Sequence, residues 1–152
     1  MDRGRVIAVV PARYGSTRFP GKPLTLLLGT PMIAHVIRRA REARCFAEVV
    51  VATDDARIGA AAAAAGARVA MTGEACSGTD RVAQAVRDLD ATVVLNVQGD
   101  EPALPPENLR VVAEFLRDHP EVPLATLALP AGDADLANPN AVKVVTDLAG
   151  RA

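Results

Sequence analysis

Three cations fall within ten residues near the start of the chain, in the stretch VVPARYGSTRFPGKPL (residues 9–24): Arg13, Arg18 and Lys22. Gly15, Pro20, Gly21 and Pro23 break the same stretch, which reads as a stiff loop emptied from a buried strand. Like charges gathered in one loop repel one another unless something anionic lies between them. A polyphosphate is the first candidate, and surface cations scattered among turn-forming residues are the bland alternative. The known backbone cradles for phosphate do not fit. Five residues separate Gly15 from Gly21, and Pro23 stands where a P-loop carries its metal-binding hydroxyl. A GxGxxG run is absent as well. Any grip on a phosphate must come mainly from the side chains.

Two further loops carry groups that could act with the first. In NVQGDEP (residues 96–102), Asp100 sits beside Gly99 after an apolar run. One carboxylate facing a cationic phosphate loop suits Mg²⁺, which keeps most of its waters and takes one or two carboxylates plus phosphate oxygens. Asp next to Gly is also ordinary turn chemistry, and both readings stand. Glu101 is read as a solvated acid. Asn96 and Gln98 can hold a base or a sugar hydroxyl, or can bridge loops. In CSGTDR (residues 76–81), Ser77 and Asp80 have capping-box spacing ahead of a helix. The same residues, with Gly78, Thr79 and Arg81, could hydrogen-bond a nucleobase edge, and capping and binding are compatible.

The elements that must position these loops follow from periodicity. Val6–Val10 is a continuous apolar run, as a strand buried on both faces requires. In GTPMIAHVIRRAREARCF, Thr30 is expected to cap a helix with Pro31 at its first position, and Met32, Ile33, Val36, Ile37 and Ala40 form one apolar stripe. EVVVATDD reads as a strand whose two terminal acids cap the alanine-rich helix ARIGAAAAAAGA, with Gly66 as its stop. ARVAMT is a weaker strand, ATVVLNV a strong buried one, and ENLRVVAEFLRDH a helix. VPLATLALP and NAVKVVTD are both expected as strands. Strands alternating with helices predict a three-layer α/β domain with a mostly parallel sheet. In such folds ligands bind outside the carboxyl ends of the strands, where all three polar loops fall. The last residues, TDLAGRA, read as a turn that leads to no further strand, so the domain is expected to be truncated at its C-terminus.

Bulk properties narrow the class. The chain has 152 residues, enough for one domain with a real core, and half of them are hydrophobic. A formal net charge of −1 argues against nucleic acid as principal partner. With no tryptophan and Tyr14 as the sole tyrosine, the sequence argues against a base-stacking platform of the single-strand-binding kind as well. Cys45 and Cys76 lie far apart and, with only His35 and His119 besides, make no zinc motif. They are read as free thiols of a reducing cytosol, and the two histidines as structural. VIAVVPA is too short, and broken by Pro11, to span a membrane, so a soluble intracellular protein is expected.

Taken together, PARYGSTRFPGKPL, PMIAHV, VVVATDD, SGTDR, NVQGDEP, ATLALP and NPNAVKVV resemble, in order and over essentially the whole chain, the 3-deoxy-manno-octulosonate cytidylyltransferases (CMP-KDO synthetases). The resemblance implies a Rossmann-like nucleotide-diphospho-sugar transferase fold and the reaction CTP + 3-deoxy-D-manno-octulosonate → CMP-KDO + pyrophosphate, in the cytoplasm, for lipopolysaccharide synthesis. It implies that residues 1–152 are an incomplete nucleotide-binding domain. It assigns Arg13, Lys22 and, with them, Arg18 to neutralising the triphosphate. Ala12, Ser77, Gly78, Thr79, Asp80, Arg81 and Gln98 would contact the nucleotide or sugar, and Asp100 would hold Mg²⁺. Full-length members are expected as homodimers, without nucleic acid or membrane partners. MTGEACSGTDR is one residue shorter than the family pattern and lacks its histidine. Members also continue for about another hundred residues, within the usual domain-size range. This chain alone is therefore expected to bind CTP weakly and turn over little. The alternatives are a cytidylyltransferase for a related acidic sugar, of 8-amino-KDO or sialic-acid type, and a non-catalytic nucleotide-binding remnant.

Overall fold

The computed structural model describes residues 4–15 and 19–152. The first strand, β1 (Val6–Ala12), leads through the basic loop and a 3-10 turn (Lys22–Leu24) to a two-strand ribbon, β2 (Leu26–Leu27) and β3 (Thr30–Pro31). Helix α1 (Met32–Glu42) and strand β4 (Glu48–Thr53) follow, then α2 (Ala56–Ala64) and β5 (Arg68–Met71). Helix α3 (Gly78–Val86), strand β6 (Val93–Asn96) and helix α4 (Pro106–Asp118) come next, and a single further turn of helix, α5 (Asp133–Ala137), lies in the last stretch.

Four strands form one parallel sheet in the order β5-β4-β1-β6. Alternation along β1 splits the core between its faces. Val6, Ala8, Val10 and Ala12 meet the stripe of α1, with Ile58 and Ala62 of α2 and Leu109 and Ala113 of α4. Ile7 and Val9 point the other way and, with Val50 and Ala52, pack on Val82 of α3. Helices thus cover both sides of a mostly parallel sheet, the three-layer α/β arrangement expected. The five stripe residues of α1 are all buried, which is why this helix holds where its polar face gains only surface ion pairs.

The chain runs outward from β1 through β4 to β5, then returns to lay β6 on the other side of β1. That reversal opens a crevice at the carboxyl ends of β1 and β6, the place where open α/β sheets bind ligands.

Three expectations are corrected. Thr30 does not cap α1: it pairs with Leu27 in the ribbon, and Pro31 occupies the cap position. The turn between these strands places both Leu28 (φ 50°) and Gly29 (φ 79°) in the left-handed region, as a type I′ hairpin demands. VPLATLALP and NAVKVVTD form no strand among the described residues. Their β-branched and leucine side chains have the right propensity, but a strand exists only through a partner for its backbone. Leu124, Leu129, Val142 and Val145 stay exposed. Finally, β6 is the outer strand of the sheet on its side and is only partly buried.

Candidate functional site

At the crevice, three strand ends deliver their loops to one edge. The loop after β1 brings Arg13 and Lys22, the one after β5 brings Ala75–Ser77, and the one after β6 brings Gln98–Asp100. With Pro11, Ala12, Pro23, Gly78 and Arg81 they line a cleft of about 300 Å³. The convergence read from sequence is therefore real for Ala12, Arg13, Lys22, Ser77, Gly78, Arg81, Gln98 and Asp100. Thr79 and Asp80 follow in the first turn of α3 and do not line it. Arg18 lies outside the described residues.

Close backbone contact at two glycines makes the cleft narrow. A Cβ on Gly99 would lie 2.9 Å from the Pro11 carbonyl oxygen, so only glycine lets the β6 turn approach β1 this way. Gly21, at φ 71°, turns the basic loop back so that its N–H donates to the Tyr14 carbonyl at 2.9 Å. The Tyr14 ring is in turn covered by the Arg57 guanidinium, 3.7 Å from its centroid. Arg57 is held there by Asp55, at 2.6 Å. The phosphate-type loop is thereby tied to the start of α2.

Lys22 Nζ lies 2.7 Å from Asp100 Oδ2, and both side chains keep contact with solvent. The pairing joins the cation expected to hold phosphate to the carboxylate expected to hold a metal. A half-exposed pair of this kind is worth no more than about 1 kcal/mol, so an incoming polyphosphate with its cation can exchange both partners cheaply. Arg13 has no ion-pair partner among the described residues and is exposed at the cleft wall. The donor chemistry fits a small hard cation brought with phosphate: one carboxylate beside two phosphate-type cations leaves the other coordination positions to phosphate oxygens and water. Among the described residues no group of three or more His, Cys, Asp or Glu side chains forms a protein-only metal cage.

Helix α3 points its N-terminus at the cleft. Ser77 caps it, Oγ accepting from the Asp80 N–H at 3.0 Å, while the Ser77 hydroxyl donates to the Asp80 carboxylate at 2.8 Å. The spacing is that of a capping box, but here the acid takes the serine hydroxyl. Asn96 Nδ2 donates to Thr79 Oγ1 at 3.4 Å, so Asn96 bridges β6 to α3. Glu101 is exposed and faces a different groove, beside β6 and α4. His35 bonds the Leu27 carbonyl at 2.9 Å and His119 stacks near Phe115; both serve the structure. Cys45 and Cys76 are free, and Cys76 lines the cleft.

Sequence reading missed Asp54. The two acids of TDD were expected to cap α2 together, but only Asp55 does, accepting from the Arg57 and Ile58 N–H groups. Arg57 donates to the Asp55 carboxylate and, with those caps, holds it down to about 2. Asp54 turns away and takes the Arg81 guanidinium at 2.6 Å. Arg81, placed by sequence among the nucleotide contacts, is buried with its donors on Asp54, Thr72 Oγ1 and the Gly73 carbonyl. No local pattern marks a partner 27 residues away.

Residues 7–152 match the family model described as Cytidylyltransferase. The chain is 55% identical over 149 residues to the 3-deoxy-manno-octulosonate cytidylyltransferase of Idiomarina loihiensis, covering 95% of this chain and 58% of that one. With the protein of that name from Anaeromyxobacter sp. (strain Fw109-5) it shares 52% over 150 residues, covering 97% and 61%. Among solved structures, CMP:2-keto-3-deoxy-manno-octonic acid synthetase complexed with CTP superposes with a TM-score of 0.90 at 43% identity, over 95% of this chain and 60% of that one. The chain thus spans about three fifths of the length of the relatives it matches. No helix among the described residues is long and apolar enough to cross a membrane.

Proposed function

Starting from the fact that the chain belongs to the cytidylyltransferase family, we propose that its cleft binds CTP and that it supplies the nucleotide half of a CMP-KDO synthetase. In that reaction the anomeric hydroxyl of 3-deoxy-D-manno-octulosonate attacks the α-phosphorus of CTP, forming the new P–O bond as the bond to pyrophosphate breaks. Positioning and charge neutralisation dominate such a step, since no covalent intermediate with the protein is needed. Arg13 and Lys22 neutralise the triphosphate and the growing charge on the leaving pyrophosphate, with Arg18 from the same loop. Ser77–Asp80 and Gln98 flank the base and ribose, and Ala12 lies under the nucleotide. Asp100 would hold Mg²⁺, which when bound screens the charge of the departing phosphates. The reading places the activity in the cytoplasm and the full-length protein in a homodimer.

The observation that carries this reading is the meeting of Arg13, Lys22, Ser77, Gln98 and Asp100 around one cleft at the switch point of the sheet. Support also comes from the CTP in the similar solved structure. The test is titration of the chain with CTP and with inorganic tripolyphosphate, followed by pyrophosphate release with CTP, Mg²⁺ and the sugar acid. Binding of both ligands is expected, with little release from this chain alone. Removing one charge-assisted phosphate contact, by Arg13→Gln or Lys22→Gln, should weaken tripolyphosphate about tenfold. A chain that binds neither ligand, or variants that bind as well as the parent, would sink the assignment. CTP binding with no release at all under any acidic sugar would instead support the non-catalytic nucleotide-binding reading.

A further inference from the structure

Arg81 is the only charged side chain buried among the described residues. Taking a guanidinium out of water costs several kcal/mol, and a buried ion pair seldom repays that cost as stability. The place where its donors go indicates what it does instead. Nη2 reaches Asp54, at the end of β4, at 2.6 Å. Nη1 reaches Thr72 Oγ1 and, at 3.4 Å, the Gly73 carbonyl, both just past β5. One turn further along α3, Gln84 grips the same loop from both sides. Its Nε2 donates to the Glu74 carbonyl at 2.9 Å, and its Oε1 accepts from the Gly73 N–H at 3.2 Å. Residues 72–74 are thereby clamped to α3, and the chain then runs directly into Ala75, Cys76, Ser77 and Gly78, the wall of the cleft. A lysine carries its three donors on one nitrogen, whereas Arg81 reaches the two loops from two separate nitrogens of a planar fork.

We propose that Asp54 and Arg81, with Gln84, are positioning residues that set the Ala75–Gly78 wall and through it decide which nucleobase the cleft accepts. Asp54 and Gln84 lie outside the cleft, and Arg81, which lines it, acts through the donors it commits to Asp54, Thr72 and Gly73. This inference rests on the CTP reading above. It assigns base discrimination to the clamp and leaves triphosphate binding to Arg13 and Lys22 on the opposite loop.

The experiment measures dissociation constants of CTP, UTP and inorganic tripolyphosphate for the 152-residue chain and for Asp54→Asn, Arg81→Lys and Gln84→Ala. Misplacement of a binding wall by a fraction of an ångström should reduce the CTP-over-UTP preference about tenfold in Asp54→Asn and Arg81→Lys, and about threefold in Gln84→Ala. Tripolyphosphate affinity should stay within about twofold of the parent, since its contacts lie elsewhere. A purely structural role would weaken all three ligands together and leave the preference intact, which overturns the proposal. Loss of tripolyphosphate binding in Arg81→Lys also overturns it, by making Arg81 a phosphate ligand. Should the two charge variants not fold, Gln84→Ala, which removes only two loop bonds, decides the matter by the same ratio. A parent chain that binds tripolyphosphate but shows no base preference removes the nucleotide reading and this inference with it. A parent that prefers CTP while its variants do too removes this inference alone.

Discussion

Replacing Gly99 by alanine tests how tightly the β6 turn must approach β1. The added Cβ would sit 2.9 Å from the Pro11 carbonyl oxygen and 3.5 Å from Val10 Cγ1. Ordinary contact begins near 3.4 Å, so the turn must retreat by about half an ångström. The obstacle is backbone on a strand whose Val9 and Val10 are fully buried, so no rotamer change can relieve it. Overpacking of this kind costs about 1–3 kcal/mol. For a domain of this size that lowers the melting temperature by about 2–12 °C. The retreat also carries Asp100 away from Lys22 and widens the cleft, so affinity for CTP with Mg²⁺ should fall alongside stability. Gly15→Ala is the control: among the described residues nothing lies within 4 Å of its added methyl, and its φ is outside the left-handed region. It should change stability by no more than about 0.5 kcal/mol. Thermal melts of the two variants, followed by CTP titration, give the comparison. A Gly99→Ala protein that melts and binds like Gly15→Ala would refute the close-approach reasoning.

Further outcomes follow from the core, the caps and the thiols. Ile37→Ala, which empties a fully buried site under β1, should cost about 2–5 kcal/mol in urea unfolding without moving the cleft residues. Asp55 titrates at about 2 when folded, below its ordinary 3.8, because of Arg57 and the helix N–H groups. A depressed carboxyl contributes stability that is complete above the unfolded value and lost as pH falls through the folded one. The melting-temperature gap between the parent and Asp55→Ala should therefore be constant above about pH 4 and shrink toward pH 2; a gap that holds steady there would show that Asp55 caps without its charge. Cys76 is exposed at the cleft, whereas burial and then the nearby Glu114 carboxylate push the Cys45 thiol up against a partly offsetting backbone hydrogen bond. Alkylation near pH 8 should modify Cys76 first, and CTP should slow that reaction and leave Cys45 unaffected; mass spectrometry of the labelled peptides reads both.

What the amino-acid sequence decided by itself is local. The stripe Met32, Ile33, Val36, Ile37, Ala40 could be read because a helix returns to the same face every three or four residues. Ser77 could be read as a cap because its partner lies three residues on. The alternation of strands and helices, and with it the edge where three polar loops must meet, followed from the same short-range rules. Tertiary structure alone decided the rest. That Asp54 and Asp55 part company, one to Arg81 and the other to the helix it caps, depends on α3 packing beneath β4. The Lys22–Asp100 pair spans 78 residues and exists because β6 lies beside β1. The strand-forming residues after 121 stay outside the sheet because propensity describes a side chain, while a strand also needs a neighbouring backbone to bond. Partners within a turn of helix are encoded by spacing; partners across the sheet are chosen only when the whole core packs.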